Sequence, residues 1–290
     1  MVGRHAQNLG SAPRKPYKGP FMPNRIDQKF AELRAANRSG FMAYITAGDP
    51  SLQATEQLVP ALAAAGVDFI ELGVPFSDPL ADGVVNQLGA QRALNAGATL
   101  DKVLASVRRI REQTDVPLIL YTYLNPVYIH GFEKFHEQAA AAGVDGVLIL
   151  DLPPDEIAAN RELSARHQLK SIRLIAPTTP PARMELIARS AEGFIYYVSR
   201  EGVTGEQTKL SDSIASQVAE IRKHTELPIA VGFGISSPEQ AAEVARQADA
   251  AVVGSAIVRR MGEFGSDPDF VEKIVSFVRP LASAAHAARS

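Results

Sequence analysis

The stretch Phe69-Ile-Glu-Leu-Gly-Val-Pro-Phe-Ser-Asp-Pro-Leu-Ala-Asp82 decides both the fold and the site. Its front, residues 67–72, is apolar and bounded by Gly66 and Gly73, which predicts a short buried strand. Side chains alternate along a strand, so Glu71 is expected on the face of Val67 and Phe69. A carboxylate then stands at the strand's end among apolar neighbours. Gly73, Pro75 and Pro79 break regular structure and force a loop, which carries Asp78 and Asp82. Two readings are open. A buried acid on a rigid strand, facing a second acid on a loop, is an acid/base pair. Alternatively, Glu71 is a solvated rim residue and the two aspartates form turns.

Outward from this stretch, strand-like and helix-like segments alternate. Strands are predicted at 41–46, 67–72, 116–123, 144–150, 171–175, 193–198, 227–231 and 249–253. Helices are predicted at 24–39, 51–65, 84–113, 131–142, 155–167, 180–190, 211–224 and 237–247, with helical sequence closing the chain. Ala64-Ala-Gly-Val-Asp68 and Ala141-Ala-Gly-Val-Asp145 repeat one helix-stop-to-strand pattern. Eight strands, each followed by helix, predict a (β/α)₈ TIM barrel in a single domain. The alternative is an open doubly wound sheet. No Gly-x-Gly-x-x-Gly follows the first strand, which argues against a dinucleotide site.

The 290 residues are 46% hydrophobic and 21% charged, with a formal net charge of -2. This composition supplies a full core and suggests neither nucleic acid nor membrane as a partner. The absence of cysteine excludes disulfides, thiolate metal sites and cysteine nucleophiles, and suits a cytoplasmic setting. No apolar run approaches the roughly 20 residues of a membrane helix. Residues 1–23 are rich in Gly, Pro and basic residues and read as a flexible tail, leaving 24–290 for the barrel.

In a barrel of this kind, chemistry sits where strands run into the following loops. Asp49, Asn125 and Asp151 stand there beside prolines and are expected to form turns or caps. Gly232-Phe-Gly-Ile-Ser-Ser-Pro-Glu-Gln240 follows the seventh strand, with Ser237 and Gln240 as a capping box. Val253-Gly-Ser-Ala-Ile257 follows the eighth and opens a helix. Small residues there let backbone amides face an anion, so these two loops read as a phosphate seat rather than as plain tight turns. In Ser199-Arg-Glu-Gly-Val-Thr-Gly205, Gly202 and Gly205 permit a mobile lid carrying Thr204, or an ordinary surface loop. His130 and His136 read as surface helix or turn residues, and no metal constellation is present in the sequence.

Together Tyr44-Ile-Thr-Ala-Gly-Asp-Pro50, Glu71 through Gly83, Ser199 through Gly205, Gly232 through Gln240 and Gly254-Ser255 resemble the tryptophan synthase alpha chain family, from about Asn24 to near the C-terminus. The resemblance implies a (β/α)₈ barrel that cleaves indole-3-glycerol phosphate to indole and glyceraldehyde 3-phosphate. It implies no cofactor in this chain, and a beta-chain partner that carries pyridoxal phosphate in an alpha₂beta₂ heterotetramer. It assigns Glu71 as general acid/base and Asp82 as the carboxylate facing the indole nitrogen. Thr204 becomes the lid threonine. Tyr44, Tyr123 and Tyr196 line the indole pocket, and Gly205, Gly234, Gly254 and Ser255 contact phosphate. Asp78 and Pro79 face the beta chain. Two departures stand out: Val84-Val-Asn86 replaces the family's usual proline-containing sequence, and the basic tail is longer. Other readings are a different phosphate-binding barrel isomerase or epimerase, and a non-catalytic activating subunit.

Overall fold

The computed structural model describes residues 23–198, 207–232 and 234–289. Its strands are β1 (Gly40–Thr46), β2 (Phe69–Gly73), β3 (Leu118–Thr122), β4 (Gly146–Ile149), β5 (Lys170–Ser171), β6 (Arg173–Ile175), β7 (Ile195–Val198), β8 (Ile229–Gly232) and β9 (Ala250–Val253). They pair in parallel in the order β5-β4-β3-β2-β1-β9-β8-β7-β6. Only Ile172 parts β5 from β6, and its N–H still donates to Val147 O at 3.0 Å. These two segments are halves of one strand position. The first half pairs with β4 and the second with β7, so the ring closes as the (β/α)₈ barrel that the alternation predicts.

Helices cover the outside. Helix α1 (Arg25–Ala35) precedes β1, and α2 (Leu52–Ala64) follows it. Between β2 and β3 lie α3 (Val84–Asn95) and α4 (Leu100–Arg111), where the sequence suggested one helix. Gly97, with φ of +80°, ends the first, and the Thr99 side chain accepts from Lys102 N to start the second. Helices α5 (Leu124–His130) and α6 (Phe132–Ala142) follow β3. The first was not anticipated: Pro126 reads as a breaker, but it occupies the first turn, where no N–H is required. Then come α7 (Ile157–Arg166), α8 (Pro181–Ser190), α9 (Gln207–Arg222), α10 (Pro238–Gln247), α11 (Ser255–Phe264) and α12 (Phe270–Ala287).

Strand alternation sorts the core into two layers. Met42, Phe69, Ile119, Leu148, Ile172 and Phe194 fill the barrel. Phe41, Ile70, Leu118, Val147 and Ile195 face the helices, and Val67, which precedes β2, packs with them rather than with Phe69. Ile26, Phe30 and Leu33 of α1 join the inner layer, with Phe30 stacked 4.4 Å from Phe69. Helix α1 therefore closes one end of the barrel. Beside it Asp145 accepts from Leu118 N, Arg111 Nη2 and Arg25 Nη1 at 2.9, 2.9 and 3.1 Å. The site is left to the opposite end.

Two expectations for single residues are corrected. His136 is fully buried, and its Nδ1 lies 2.7 Å from Phe132 O. A carbonyl only accepts, so that nitrogen carries the proton. Asp49 does lie in a turn, its N–H donating to Thr46 O at 3.2 Å, but its side chain makes neither the turn nor a cap: it is buried and paired with Arg92. Asp151 caps at long range: it follows β4, and its Oδ1 accepts from Leu124 N at the start of α5 at 2.6 Å.

Candidate active site

Four inward-facing strand residues meet at the open end. Tyr44 on β1 stands in register with Glu71 on β2, and Gly73 with Tyr121 on β3. Tyr44 and Tyr121 pack edge to face at 4.9 Å. The Glu71 carboxyl is fully buried, and neither oxygen has a hydrogen-bond partner among the described residues. Burial penalises its charged form and pushes its pKa up to about 8. Burial raises the pKa of Tyr44, Tyr121 and Tyr196, and the nearby carboxyls of Asp82 and Glu71 add to the rise in each. The rim-residue alternative for Glu71 is therefore excluded.

Asp82 is held differently. It is half-buried and accepts from Tyr123 OH at 2.8 Å and Tyr121 OH at 3.2 Å, with Asn86 Nδ2 at 3.5 Å. Burial raises its pKa, and the three donors oppose that rise. Tyr123 OH also accepts from Ala81 N at 3.1 Å, and its ring lies 5.4 Å from Phe76. Tyr123, directly after β3, thus holds the Ala81–Asp82 end of the acidic loop by its hydroxyl and packs its ring against Phe76 near the other end. The two carboxyls differ as an acid and a counter-charge must: one is dry and unpartnered, the other wired to donors.

Opposite them, Gly232, Gly234, Gly254 and Ser255 line the same cleft of about 630 Å³ as Tyr44, Asp82, Tyr121 and Tyr196. Ser255 is the first residue of α11, and no side chain caps that helix. Its leading amides and dipole face the cleft and suit an anion. A Cβ on Gly232 would lie 2.7 Å from Tyr196 OH, so only glycine lets that ring lie across β8. The α10 capping box is present as predicted, between Ser237 and Gln240.

The remaining candidates fall apart from the cleft floor. Asp78 is exposed and its Oδ2 accepts from Ser77 Oγ, while Pro79 is half-buried beside it. Tyr123 holds Asp82 rather than lining the cleft. Thr204 and Gly205 lie outside the described residues. Tyr121 is an additional site residue: it stands two positions before Tyr123, and the period of a strand turns it toward Asp82 as well. Among the described residues, no group of three or more His, Asp or Glu is placed to hold a metal ion.

The tryptophan synthase alpha chain family model matches residues 30–286. The tryptophan synthase alpha chain of Geobacter sulfurreducens is 50% identical over 261 residues, spanning 90% of this chain and 98% of that one. This chain belongs to the tryptophan synthase alpha chain family. The relative from Opitutus terrae is also 50% identical over 261 residues, with the same coverage. Tryptophan synthase subunit alpha from Legionella pneumophila superposes with a TM-score of 0.84 at 37% identity, covering 91% of this chain and 99% of that one. A chain of Mycobacterium tuberculosis tryptophan synthase superposes at 0.82 and 32% identity, covering 91% and 99%. As a family member this protein is a carbon–carbon lyase of tryptophan biosynthesis. Its reaction is the cleavage of indole-3-glycerol phosphate to indole and D-glyceraldehyde 3-phosphate. Neither an isomerase nor a non-catalytic subunit is favoured.

Proposed function

We propose that Glu71 and Asp82 carry this cleavage as a proton donor and a fixed counter-charge. The bond to be broken joins indole C3 to the glycerol chain, and an indole carbanion is a poor leaving group. Protonation comes first. Glu71, neutral at pH 7 because it is buried, delivers its proton to C3 and creates a cation centred on the ring nitrogen. Asp82 stays ionised between its tyrosine donors and stabilises that cation. The Glu71 carboxylate then takes the proton of the adjacent glycerol hydroxyl. The C–C bond breaks, its electrons return to the ring as indole, and the hydroxyl carbon becomes the aldehyde. Glu71 ends as it began. The carboxyl does not line the cleft, so this reading requires its side chain to turn toward the ligand. No hydrogen bond to a described residue holds it back.

Tyr44 and Tyr196 flank the indole in this reading, and Gly234, Gly254 and Ser255 take the phosphate. Gly205 is a further proposed phosphate contact, and Thr204 the lid residue that meets Asp82. Remote phosphate binding then supplies energy for orienting the ring. Pyridoxal phosphate belongs to the partner beta chain, not to this one. The partner would seat on the mouth beside Asp78 and Pro79. Around it Leu80 is 91% exposed, and Tyr128 and Ile129 of α5 are 71% and 76% exposed, more apolar surface than a mouth open only to solvent needs. We extend this to an alpha₂beta₂ assembly in the cytoplasm, with residues 24–290 as the barrel and 1–23 as a tail. No described helix is long and apolar enough to cross a membrane.

The observation that carries the catalytic assignment is the unpartnered, fully buried Glu71 carboxyl beside a hydrogen-bonded Asp82. Glu71→Gln should lose indole release by on the order of 10²–10⁴ or more, while binding of glycerol phosphate survives. Unchanged turnover in that variant sinks the assignment.

A further inference from the structure

The proposed reaction needs two half-sites that ride on different elements. Asp82 lies on the loop that runs directly into α3, and Gly254 and Ser255 form the start of α11. Substrate must touch both. Their separation therefore decides whether the indole ring, once its phosphate is seated, arrives where the acids can act.

Behind the cleft one guanidinium joins the two elements. Arg92, in the last turn of α3, donates from Nε to Asp49 Oδ1 at 2.8 Å and from Nη2 to Asp49 Oδ2 at 2.7 Å. Nη2 also reaches Val258 O of α11 at 3.3 Å. Asp49 is fully buried just beyond β1, the strand of Tyr44. The packing is cut to fit this pair. A Cβ on Gly262 of α11 would lie 2.9 Å from Arg92 Cζ, and one on Gly89 of α3 would lie 2.7 Å from Val258 Cγ1. Arg92, Asp49 and Val258 do not line the cleft, so none is placed to touch a ligand there.

We propose that Arg92 is a positioning residue: paired with Asp49, it fixes α3 against α11 and so sets the distance between Asp82 and the anion seat. The inference rests on the reading that one ligand spans both half-sites. A planar, bidentate fork holds direction as well as distance, which a lysine ammonium cannot do. Disturbing one partner of a buried ion pair destabilises the fold whatever else the pair does, so a loss of stability alone decides nothing.

The test uses two probes on the full chain. Inorganic phosphate reports the anion seat by itself. Indol-3-ylpropyl phosphate spans the cleft but lacks the hydroxyl that cleavage requires. In Arg92→Lys, affinity for the spanning probe should fall at least about tenfold and kcat/KM for indole-3-glycerol phosphate about 10²-fold. Affinity for phosphate should stay within about twofold of wild type, since the seat is intact. Gly262→Ala keeps both charges and removes a helix glycine, yet pushes on the guanidinium; it should reproduce the same split, and it stands in if Arg92→Lys does not fold. Parallel weakening of both probes overturns the proposal, as does wild-type kcat/KM in both variants. Wild type is the control for the underlying reading. If it neither releases indole nor binds the spanning probe, the proposed site fails first. If it does both and the variants match it, the positioning role alone fails.

Discussion

The most informative perturbation removes the charge of Glu71 and keeps its shape. In Glu71→Gln an amide fills the same volume without a titrating proton. Burial moves the carboxyl from its ordinary 4.5 up to about 8 in the folded chain. Between those values the folded protein holds a proton that the unfolded chain has released. Stability must therefore fall as pH rises through this window and level off above it. At about 1.4 kcal/mol per pH unit the whole interval is worth about 5 kcal/mol, of which about 3 is already lost at pH 7. The amide has a burial penalty of its own, about 1–3 kcal/mol for each unmet group. That penalty does not change with pH, so the prediction concerns slopes and not offsets. Urea denaturation at pH 5 and pH 9 measures it. The stability of wild type relative to Glu71→Gln should drop by about 4 kcal/mol between the two. Parallel curves would show that the folded-state carboxyl titrates as an ordinary one, and the argument from burial would be refuted.

Four further variants have expected outcomes. Tyr123→Phe removes the 2.8 Å donor to Asp82 and the acceptor for Ala81 N. Steady-state kinetics should show kcat/KM for indole release down about tenfold, the equivalent of one charge-assisted hydrogen bond of about 1.5–3 kcal/mol at the low end. Tyr121→Phe, whose contact is 3.2 Å, should lose less. Asp145→Ala strands Arg25 and Arg111 far from the cleft. Denaturation should register a loss of about 3–5 kcal/mol, and kcat/KM at a temperature where the variant is folded should hold. Ile129→Asp places a charge on the exposed end of α5. Titration with the beta chain should show weaker association, with indole release by the isolated chain unchanged.

The barrel was legible because its signal is repetitive. Eight apolar runs separated by helical sequence leave few closed arrangements, and strand alternation alone puts Glu71 inside with Phe69. Helix boundaries were less so. Residues 84–113 keep helical composition throughout, and only the positive φ of Gly97, followed by the Thr99 cap, reveals two helices. Helix α5 was hidden because Pro126 breaks a helix in its middle but not in its first turn. Within the site, the period-two rule that turns Tyr123 toward the loop applies equally to Tyr121, two positions earlier. Asp49 and Arg92 were not recoverable. They lie 43 positions apart, and nothing local distinguishes a buried ion-pair aspartate before proline from a turn aspartate. Long-range pairs of this kind become visible only when packing brings their elements together.

The central claim is that residue 71 enters catalysis with its proton on. The pH dependence of kcat/KM for indole release, followed from pH 6 to about 10, tests it most directly, because that ratio reports groups in the free enzyme. The account predicts an alkaline limb that bends near pH 8 and falls about tenfold per unit beyond it, absent from the residual activity of Glu71→Gln. A rate that climbs through the same range, or a limb that survives in Glu71→Gln, would contradict it.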